Sequence, residues 1–546
     1  MFVRGLSALL ILSLFCGLTS FGVELPDKFP ENPFIACNRV ELELLKKAYK
    51  SDDKSVSKVV EDLVKAADKA IEGELKFPPR GGQHNTFYQC KKCQTALVSL
   101  SETRHQCPIC KKEYSGYPYD DVIFKRQHGS NLARMLSAAW GYAITDELKY
   151  AEFAATVLKG YAERYMNYPF HGSTKGNVLY NALAGGRLYE QTLSEASGMT
   201  LQIAPAYDLI YNSGVLSESD KKEIRDKLFV PILKNLAKHN TGINNWQSWH
   251  NAAMVTAGAL IHDKSWVDRG INDSKNGFLF QLKKSLTPDG LWYESSWGYH
   301  FYALQALTAS AEAARRLGMD LWDSEDLKKM FTLPTSYTMA NGSLPRFGDD
   351  VDTNLSRFEF LMEIAYNAYK DPVLLGMVSD KPSLHSIIFD RQEKSTKQPT
   401  RPKSLLLEGA GHALLHSAGD AGLSAALSFG GYGGYHGHLD KLSFVFYGYR
   451  SELAVDPGRA ASQAYRLPIH TEWYKATLSH NAIVVDGASQ RAGSGKALLF
   501  GSSPEVTAVL AECNSAYRGV DHRRMLVLTP DYLLVVDFLK STQRRK

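Results

Sequence analysis

The hydrophobic period of this chain changes once, near residue 400, and that change constrains its fold more than any other feature. Between Val40 and about Met377, apolar residues recur at three- and four-residue spacing, which predicts helices at 40–51, 56–72, 131–142, 149–164, 189–211, 220–237, 246–261, 297–317 and 357–367. A polar, proline-bearing stretch follows at 391–403 and is typical of a linker. Beyond it the period is two, which predicts strands at 411–417, 423–429, 442–449, 451–455, 481–485, 505–513, 524–528 and 532–538.

Many helices of similar length, joined by Gly-, Pro- and Asn-containing connectors, favour paired helices packed in a ring. No short repeat is visible, so we predict a multidomain α and β chain: an (α/α) toroid of helical hairpins at 25–390, then an antiparallel β-sandwich at 404–546. After the last predicted strand the sequence ends in the basic stretch 540–546, with no partner strand following. Two interpretations stay open, a natural basic tail and a C-terminally incomplete sandwich.

The first 22 residues have the layout of a secretory signal peptide. Arg4 precedes the apolar run 6–18, and small and polar residues follow it up to Gly22. The run is too short to span a bilayer comfortably, and no later segment is long enough, so we expect a secreted or periplasmic protein with no membrane span. A lipoprotein anchored at Cys16 is the alternative, disfavoured by the bulky Phe15, and a buried N-terminal helix is another.

Composition sets broad limits. A hydrophobic content of 44% and a charged content of 22% are those of a globular protein. The net charge of +5 is modest for 546 residues, so it tolerates an anionic partner without predicting one.

Four cysteines form a paired-knuckle motif inside the helical part. Cys90 and Cys93 make one CxxC, and Cys107 and Cys110 make the second, about a dozen residues later. Four thiolates at this spacing can surround one Zn²⁺ tetrahedrally, so we predict a structural zinc-ribbon insertion at about 86–116. Disulfides remain the alternative because the chain is expected to be secreted.

Three polar and aromatic clusters stand out as candidates for chemistry. The first is Asn-Asn-Trp-Gln-Ser-Trp-His-Asn at 244–251, and the second is Asp-Gly-Leu-Trp-Tyr-Glu-Ser-Ser-Trp-Gly-Tyr at 289–299. The third is His-Gly-His-Leu-Asp-Lys-Leu-Ser at 436–443, which is followed by Asp-Pro-Gly at 456–458 and Ser-His-Asn-Ala-Ile-Val-Val-Asp-Gly at 479–487. Each cluster alone is compatible with ordinary packing or a surface loop, but their combination in one chain favours an active site.

With these motifs the chain resembles the heparinase II/III-like polysaccharide lyases, including oligoalginate lyases, over nearly its whole length after the signal peptide. The resemblance implies an (α/α) toroid, a C-terminal antiparallel β-sandwich and cleavage of a uronic-acid polymer by β-elimination. Elimination needs three things: an offset for the uronate charge, a base for the C5 proton and an acid for the leaving O4. We expect the residues of the active site to meet these three requirements.

The resemblance assigns those roles residue by residue. Asn245 resembles the carboxylate neutraliser, His436 the histidine beside it, and Tyr299 the tyrosine that acts as general acid and, for one sugar epimer, as base. His250 is a candidate second base, because Trp246 stands where relatives carry a histidine. Tyr474 resembles a further active-site tyrosine of the alginate-cleaving branch.

The same resemblance implies a second metal site, formed by His438, Asp456 and His480. Two imidazoles and a carboxylate are a reasonable Zn²⁺ set, and it would orient His436 two residues away. The alternative is that the three residues hydrogen-bond to one another without a metal. We therefore expect zinc in structural roles and no organic cofactor.

The expected partner is an anionic polysaccharide, with no nucleic acid, and the oligomeric state stays open. Alginate, heparan sulfate, chondroitin and hyaluronan are all compatible. Competing functions are a glycoside hydrolase using Glu294, Asp349 or Asp350, a non-catalytic polysaccharide-binding protein, and an oxidative metal site. Candidate substrate contacts are Trp246, Trp249, Trp292, Trp297, Arg459, Arg466, Lys441, His128, Asn131, Tyr189, Glu190 and Gln191.

Overall fold

A computed structural model describes residues 22–172, 184–339, 342–351, 353–395, 402–460 and 467–546. The described residues up to 390 are mainly helical, as their period predicts. The helices are α1 (Arg39–Tyr49), α2 (Lys54–Ile71), α3 (Tyr119–Thr145), α4 (Leu148–Arg164), α5 (Thr192–Gly198), α6 (Ala204–Ile210), α7 (Glu218–Ile224), α8 (Val230–Lys238), α9 (Asn245–Leu260), α10 (Lys264–Asn272), α11 (Phe278–Lys284), α12 (Trp297–Arg316), α13 (Glu325–Ser336), α14 (Glu359–Tyr369), α15 (Pro372–Leu375) and α16 (Leu384–Ile388).

The strands are concentrated after the linker, with five short ones in the cysteine-containing insertion and two before Glu359. They are β1 (Gln89–Cys90), β2 (Thr95–Ala96), β3 (Val98–Ser99), β4 (His105–Gln106), β5 (Glu113–Tyr114), β6 (Ser343–Leu344), β7 (Thr353–Asn354), β8 (Leu405–Leu407), β9 (His412–His416), β10 (Ser424–Ser428), β11 (Phe444–Gly448), β12 (Ser451–Ala454), β13 (Lys496–Ser502), β14 (Thr507–Glu512), β15 (Val520–Leu528) and β16 (Leu533–Ser541). Two antiparallel sheets form the C-terminal part, in the orders β12-β11-β10-β9-β8 and β13-β14-β15-β16.

The inner strands β9 and β10 of the five-stranded sheet are buried on both faces. On β9, Ala413 and Leu415 pack into the core that the two sheets share, whereas Leu414 between them belongs to the core of the helical body. Because side chains alternate along a strand, one face of this sheet closes the sandwich and the other lies against the helices. Loops at this junction therefore reach the helical body.

Helix α9 is at the centre of the helical body. All of its residues except Trp246 are buried. The helix packs against α5, α10 and α12. Small side chains such as Ala252, Ala253 and Ala257 permit this close approach. Its N-terminus, together with that of α12, faces the sandwich loops.

The predicted strand at 481–485 is wrong. That stretch is a turn region in which only Val485 makes an isolated bridge, to Ala488. The side chain of Asn481 donates to the carbonyls of Phe444 and Val455, so side-chain bonds replace a strand ladder here.

Residues 1–21 of the predicted signal peptide lie outside the described residues. Among the helices that the structure does describe, none combines the length and apolar character needed to cross a bilayer.

Candidate active site

A cleft of about 670 Å³ lies where the helical body meets the sandwich loops. The helical side contributes Asn245, Glu294 and Tyr299, and the sandwich side contributes His436 and Arg459. The other lining residues are His84, Ala184, Gln191, Leu193, Ser194, Lys238, His239, Asn240, Thr241, Asn244, Trp246, Tyr293, Tyr302 and Tyr435. Three residues that the sequence predicts to be catalytic thus share one cleft.

Asn245 is positioned by the cap of α9. The side chain of Asn244 accepts a hydrogen bond from the Trp246 amide at 3.0 Å, which starts the helix and fixes Asn245 in its first turn. Asn245 Nδ2 donates to Glu294 Oε2 at 2.8 Å, and Trp292 Nε1 donates to the same oxygen. No described residue partners the Oδ1 of Asn245, although that atom is buried. The amide is therefore held firmly and retains one N–H and its carbonyl for a ligand.

Tyr299 is fixed in the same way, by the start of α12. Asp350 accepts from the Ser296 hydroxyl at 2.7 Å and from the amides of Trp297 and Gly298 at 2.9 and 2.8 Å. Burial raises the pKa of Asp350 to about 6, although these bonds oppose the shift. This carboxyl lies at the positive end of the helix, so it orients the turn that presents Tyr299 to the cleft.

His436 stacks directly on Tyr299. Their ring centroids are 3.6 Å apart with an interplanar angle of 21°. The turn that carries His436 is tight: a Cβ on Gly437 would lie 1.5 Å from the Tyr432 carbonyl oxygen. Only glycine fits there, so the glycine-rich motif is what brings this histidine onto the tyrosine.

Asp349 joins His436 to His438. Its Oδ2 lies 2.7 Å from His436 Nδ1, and its Oδ1 lies 2.9 Å from His438 Nε2. Burial acts to raise the pKa of this carboxyl, but the two histidines outweigh it and hold the pKa well below its usual range. Because a carboxylate only accepts, both ring nitrogens must donate to it. The other ring nitrogen of His436, Nε2, lies 3.7 Å from Glu294 Oε1; in the neutral form of the ring this nitrogen carries the lone pair.

His438, Asp456 and His480 come together as one buried cluster, with potential ligand atoms within 4.8 Å of one another. His438 Nδ1 is buried and has no hydrogen-bond partner in the described part of the chain. His480 Nε2 lies 3.1 Å from the Tyr474 carbonyl, while its Nδ1 faces Asp456 Oδ2 at 2.8 Å. Both nitrogens of His480 thus meet acceptors, which requires either an imidazolium or a cation shared with Asp456. The residues present fit a Zn²⁺.

The four cysteines also come together as one cluster, within the same 4.8 Å limit. Sulfurs bound to zinc at about 2.3 Å in a tetrahedron are about 3.8 Å apart, and Cys90 Sγ and Cys110 Sγ are separated by 3.8 Å. The amides of Cys93 and Cys110 each donate to the first sulfur of their own CxxC at 3.4 Å. All four thiols are unpaired, so this donor set fits a closed zinc site.

Two predicted catalytic residues are not among the described residues that line the cleft. His250 is fully buried in α9, and burial lowers its pKa to about 3. Neither of its ring nitrogens has a described hydrogen-bond partner. Tyr474 contributes its backbone carbonyl to His480. The geometry therefore gives His250 no access to a substrate in this cleft.

Some of the candidate substrate-contact residues line the cleft and others do not. Gln191, Trp246 and Arg459 line the cleft. Arg466 lies outside the described residues. The others are buried, namely His128, Asn131, Tyr189, Glu190, Trp249, Trp292, Trp297 and Lys441.

Sequence reasoning missed what Asp349 and Glu294 do. It considered both only as hydrolase carboxylates, whereas the structure uses them to hold His436 and Asn245. Asp349 and His436 are 87 positions apart, and no local pattern signals their contact. For Glu294, its position five residues before Tyr299 was the one sequence feature that could have placed it at the site.

Two family profiles cover most of the chain. The family described as Alginate lyase matches residues 50–343, and Heparinase II/III-like, C-terminal matches residues 399–546. The exo-oligoalginate lyase of Saccharophagus degradans is 26% identical over 487 residues, covering 79% of this chain and 63% of that protein. The alginate lyase of Stenotrophomonas maltophilia is 27% identical over 497 residues, covering 82% and 64%. The chain thus spans just under two thirds of the length of both relatives.

Solved structures show the same architecture. The heparan sulfate lyase HepC from Pedobacter heparinus aligns with a TM-score of 0.54 at 15% identity, covering 93% of this chain and 78% of that one. A heparinase III structure aligns with a TM-score of 0.56 at 14% identity, with the same coverage. These likenesses confirm the predicted fold class, a helical toroid followed by an antiparallel β-sandwich, and the profiles confirm the predicted resemblance.

Proposed function

The chain belongs to the alginate lyase family, and we propose that it is a polysaccharide lyase that cleaves a uronic-acid-containing polysaccharide by β-elimination. The observation that carries the proposal is the convergence of Asn245, Tyr299 and His436 on one cleft, with Tyr299 and His436 stacked at 3.6 Å. An amide donor, a phenol that can act as acid and an imidazole that can act as base are the groups that elimination from a uronate needs.

In the proposed reaction Asn245 donates its remaining amide N–H to the substrate carboxylate, which stabilises the enolate-like intermediate. His436 Nε2 takes the proton from C5, because Asp349 holds the other ring nitrogen protonated. The C4–O4 bond breaks, a C4–C5 double bond forms, and the Tyr299 hydroxyl protonates the leaving O4. The stacking of the two rings places acid and base on the same side of the cleft.

We propose alginate oligosaccharides as the first substrate to test. The two curated relatives are named for alginate or oligoalginate. The lining residues include two fixed cations, Lys238 and Arg459, against the carboxylate Glu294. That balance suits a polymer carrying one carboxylate per sugar better than a heavily sulfated one. Heparan sulfate is the second candidate.

The test is ultraviolet absorbance of the conjugated C4–C5 double bond during incubation with alginate, heparan sulfate, chondroitin and hyaluronan. Wild type and Tyr299→Phe are run in parallel, because the variant keeps the ring stack and removes only the proton donor. A rise with one polymer that is absent in the variant supports the proposal. Reducing ends that accumulate without any rise in absorbance would sink it in favour of hydrolysis.

The geometry gives hydrolysis little support. A glycosidase needs two carboxylates flanking the bond. Of the three carboxylates considered, only Glu294 lines the cleft. Asp349 and Asp350 are buried, with hydrogen bonds to histidines or to the α12 terminus.

We propose that both candidate metal sites bind a structural zinc ion. Bound at His438, Asp456 and His480, a zinc ion would fix the segment that carries His436, while Asp349 and the Tyr474 carbonyl orient the two imidazoles. Elemental analysis of purified protein should give two zinc ions per chain. His438→Ala and Cys93→Ser should each remove one, and a chain without zinc would contradict both sites.

Export forms a further part of the proposal and is supported by the charge and apolar pattern of residues 1–22. Expression in a bacterial host should yield a periplasmic or secreted form whose N-terminus lies near Gly22. An intact N-terminus in the cytoplasmic fraction would contradict it.

A further inference from the structure

We propose that the four-cysteine ribbon is a zinc-dependent brace, which holds the sandwich loop 467–475 against the cleft and so sets how tightly the polymer binds. The ribbon comprises residues 86–116, and Gln94 is the positioning residue that makes the contact. The kinetic part of this proposal rests on the proposed lyase function, whereas its structural part does not.

The contact grows out of the metal knuckle. Gln94 directly follows the first CxxC, with a φ of 50°, and its amide donates to the Cys90 carbonyl at 2.8 Å. Lys111 follows the second CxxC in the same conformation, with a φ of 61° and a bond to the Cys107 carbonyl at 3.1 Å. This matched geometry closes each knuckle around its two sulfurs. The direction of the Gln94 side chain therefore depends on the knuckle being closed.

Gln94 reaches the other domain. Its Oε1 accepts a hydrogen bond from the Ile469 amide at 2.6 Å, across 375 positions of sequence. Ile469 immediately precedes the π-helical turn His470–Tyr474. One side chain of the ribbon thus anchors the start of a sandwich loop.

The loop in turn touches the site at three places. His470 Nε2 lies 3.7 Å from Asp349 Oδ1, and the Tyr474 carbonyl accepts from His480. Lys475 Nζ donates to the Tyr435 carbonyl and lies 5.1 Å from the centre of the Tyr435 ring. Tyr435 lines the cleft next to His436. Movement of this loop would therefore change the wall of the cleft.

The segment just before the ribbon borders the cleft. His84, just before the ribbon, lines the cleft, and the Gln83 side chain donates to the Tyr117 hydroxyl at 2.8 Å, which joins the two ends of the insertion. His105 fixes the ribbon to α3 through Asp120 at 3.0 Å. The chain therefore enters the ribbon at the edge of the cleft, and the ribbon itself reaches the sandwich loop through Gln94.

Zinc is what makes such a small unit rigid. The ribbon's own apolar core contains few buried residues, Tyr88, Cys90, Leu97 and Cys107, packed on Val122 and Ile123 of α3. Units of this size rarely form a stable core without a metal or disulfide. Loss of the ion should release the Cys90–Gln94 knuckle and, with it, the hold on Ile469.

The experiment uses the full chain with matched variants. Cys93→Ser removes the ribbon zinc, and Cys513→Ser is the control for loss of a buried thiol elsewhere. Gln94→Met keeps the length of the side chain but removes the acceptor, whereas Gln94→Glu keeps an acceptor. The readouts are zinc content, hydrogen–deuterium exchange at 467–475, and KM and kcat on the polymer that wild type cleaves.

Exchange at Ile469 should quicken about 2- to 12-fold in Gln94→Met, the range expected for one neutral hydrogen bond, with zinc content unchanged. In Cys93→Ser it should quicken at least as much, with one zinc lost. KM should rise in both variants while kcat stays within about twofold, and Gln94→Glu and Cys513→Ser should match wild type.

Unchanged exchange at Ile469 in Gln94→Met or Cys93→Ser would overturn the brace, as would unchanged KM despite faster exchange. Retention of every zinc ion by Cys93→Ser would overturn the metal dependence. A wild-type chain that cleaves no polymer overturns the lyase proposal instead, and the exchange data then decide the brace alone.

Discussion

The two walls of the cleft are built by different means. On the toroid wall, Asn245 and Tyr299 stand in the first turns of α9 and α12. The side chain of Asn244 caps α9, and the Asp350 carboxylate accepts from the first amides of α12. On the sandwich wall, His436 sits in a glycine turn and depends on Asp349, which is 87 positions away. Hydrogen bonds at two helix N-termini hold one wall, and a glycine turn bonded to a distant carboxylate holds the other.

The two candidate metal sites follow the same division. The cysteines of the ribbon lie within 21 consecutive residues, and their knuckles fold around them with local backbone bonds. His438, Asp456 and His480 come from three separate stretches, one of them directly joined to the site through Asp349. A defect in the ribbon should therefore act on the cleft at a distance, whereas a defect in the sandwich set should act on the chemistry itself.

The largest effect expected from this contrast comes from the sandwich set. His438→Ala should remove one zinc and lower kcat about 100-fold, the upper part of the range for groups that orient a reacting residue. The ribbon variant Cys110→Ser should also lose one zinc but keep kcat within about twofold. Steady-state kinetics with zinc analysis checks both, and equal losses of kcat would show that the two sites do not differ in their effect on the chemistry.

A smaller effect is expected at the link itself. Asp349→Asn should lower kcat about 10- to 100-fold, because an amide cannot accept from both His436 and His438. Zinc content should remain at the wild-type value. Asp456→Asn provides the contrast, since it should lose the zinc. If Asp349→Asn turned over substrate as fast as wild type, the base would not depend on this carboxylate.

The contrast between local and distant contacts also explains which features the sequence could predict. The change of period located the helical and sheet parts, since side-chain alternation is a local property. The CxxC pair and the glycine-rich His436 motif were equally visible, and the structure gathers each into one cluster. Local pattern was sufficient wherever neighbouring residues hold one another.

The rest depended on distant contacts. His250 stands about one helical turn after Asn245, which made it a candidate base, but α9 is buried along its length and turns this ring into the core. The predicted strand at 481–485 failed because Asn481 bonds to Phe444 and Val455 instead. The contact of Gln94 with Ile469 has no local signal at all.

On the toroid wall, Glu294→Gln should have a moderate effect. The amide oxygen can still accept from Asn245 and Trp292, so the neutraliser stays in place. Replacing a charged acceptor by a neutral one weakens such bonds by about 1 kcal/mol, so kcat should fall about fivefold. Glu294→Ala should cost more, because Asn245 then loses its anchor. Kinetics of the two variants, with thermal unfolding as a control, checks this, and identical losses would contradict the holding role.

The smallest effect concerns stability, and it tests whether His250 belongs to the core or to the chemistry. Burial lowers its pKa from 6.5 to about 3, so the folded state keeps the ring neutral while the unfolded state binds a proton below about pH 6.5. The stability that this ring contributes is therefore complete above pH 6.5 and is lost as the pH falls toward 3. At pH 5.5 the loss should be about 1 to 2 kcal/mol relative to neutral pH. In His250→Leu the free energy of unfolding, measured by denaturant titration at the two pH values, should no longer show this difference, and kcat should be retained. Loss of kcat by a well-folded His250→Leu would instead restore this histidine as a base and require the cleft to open toward α9.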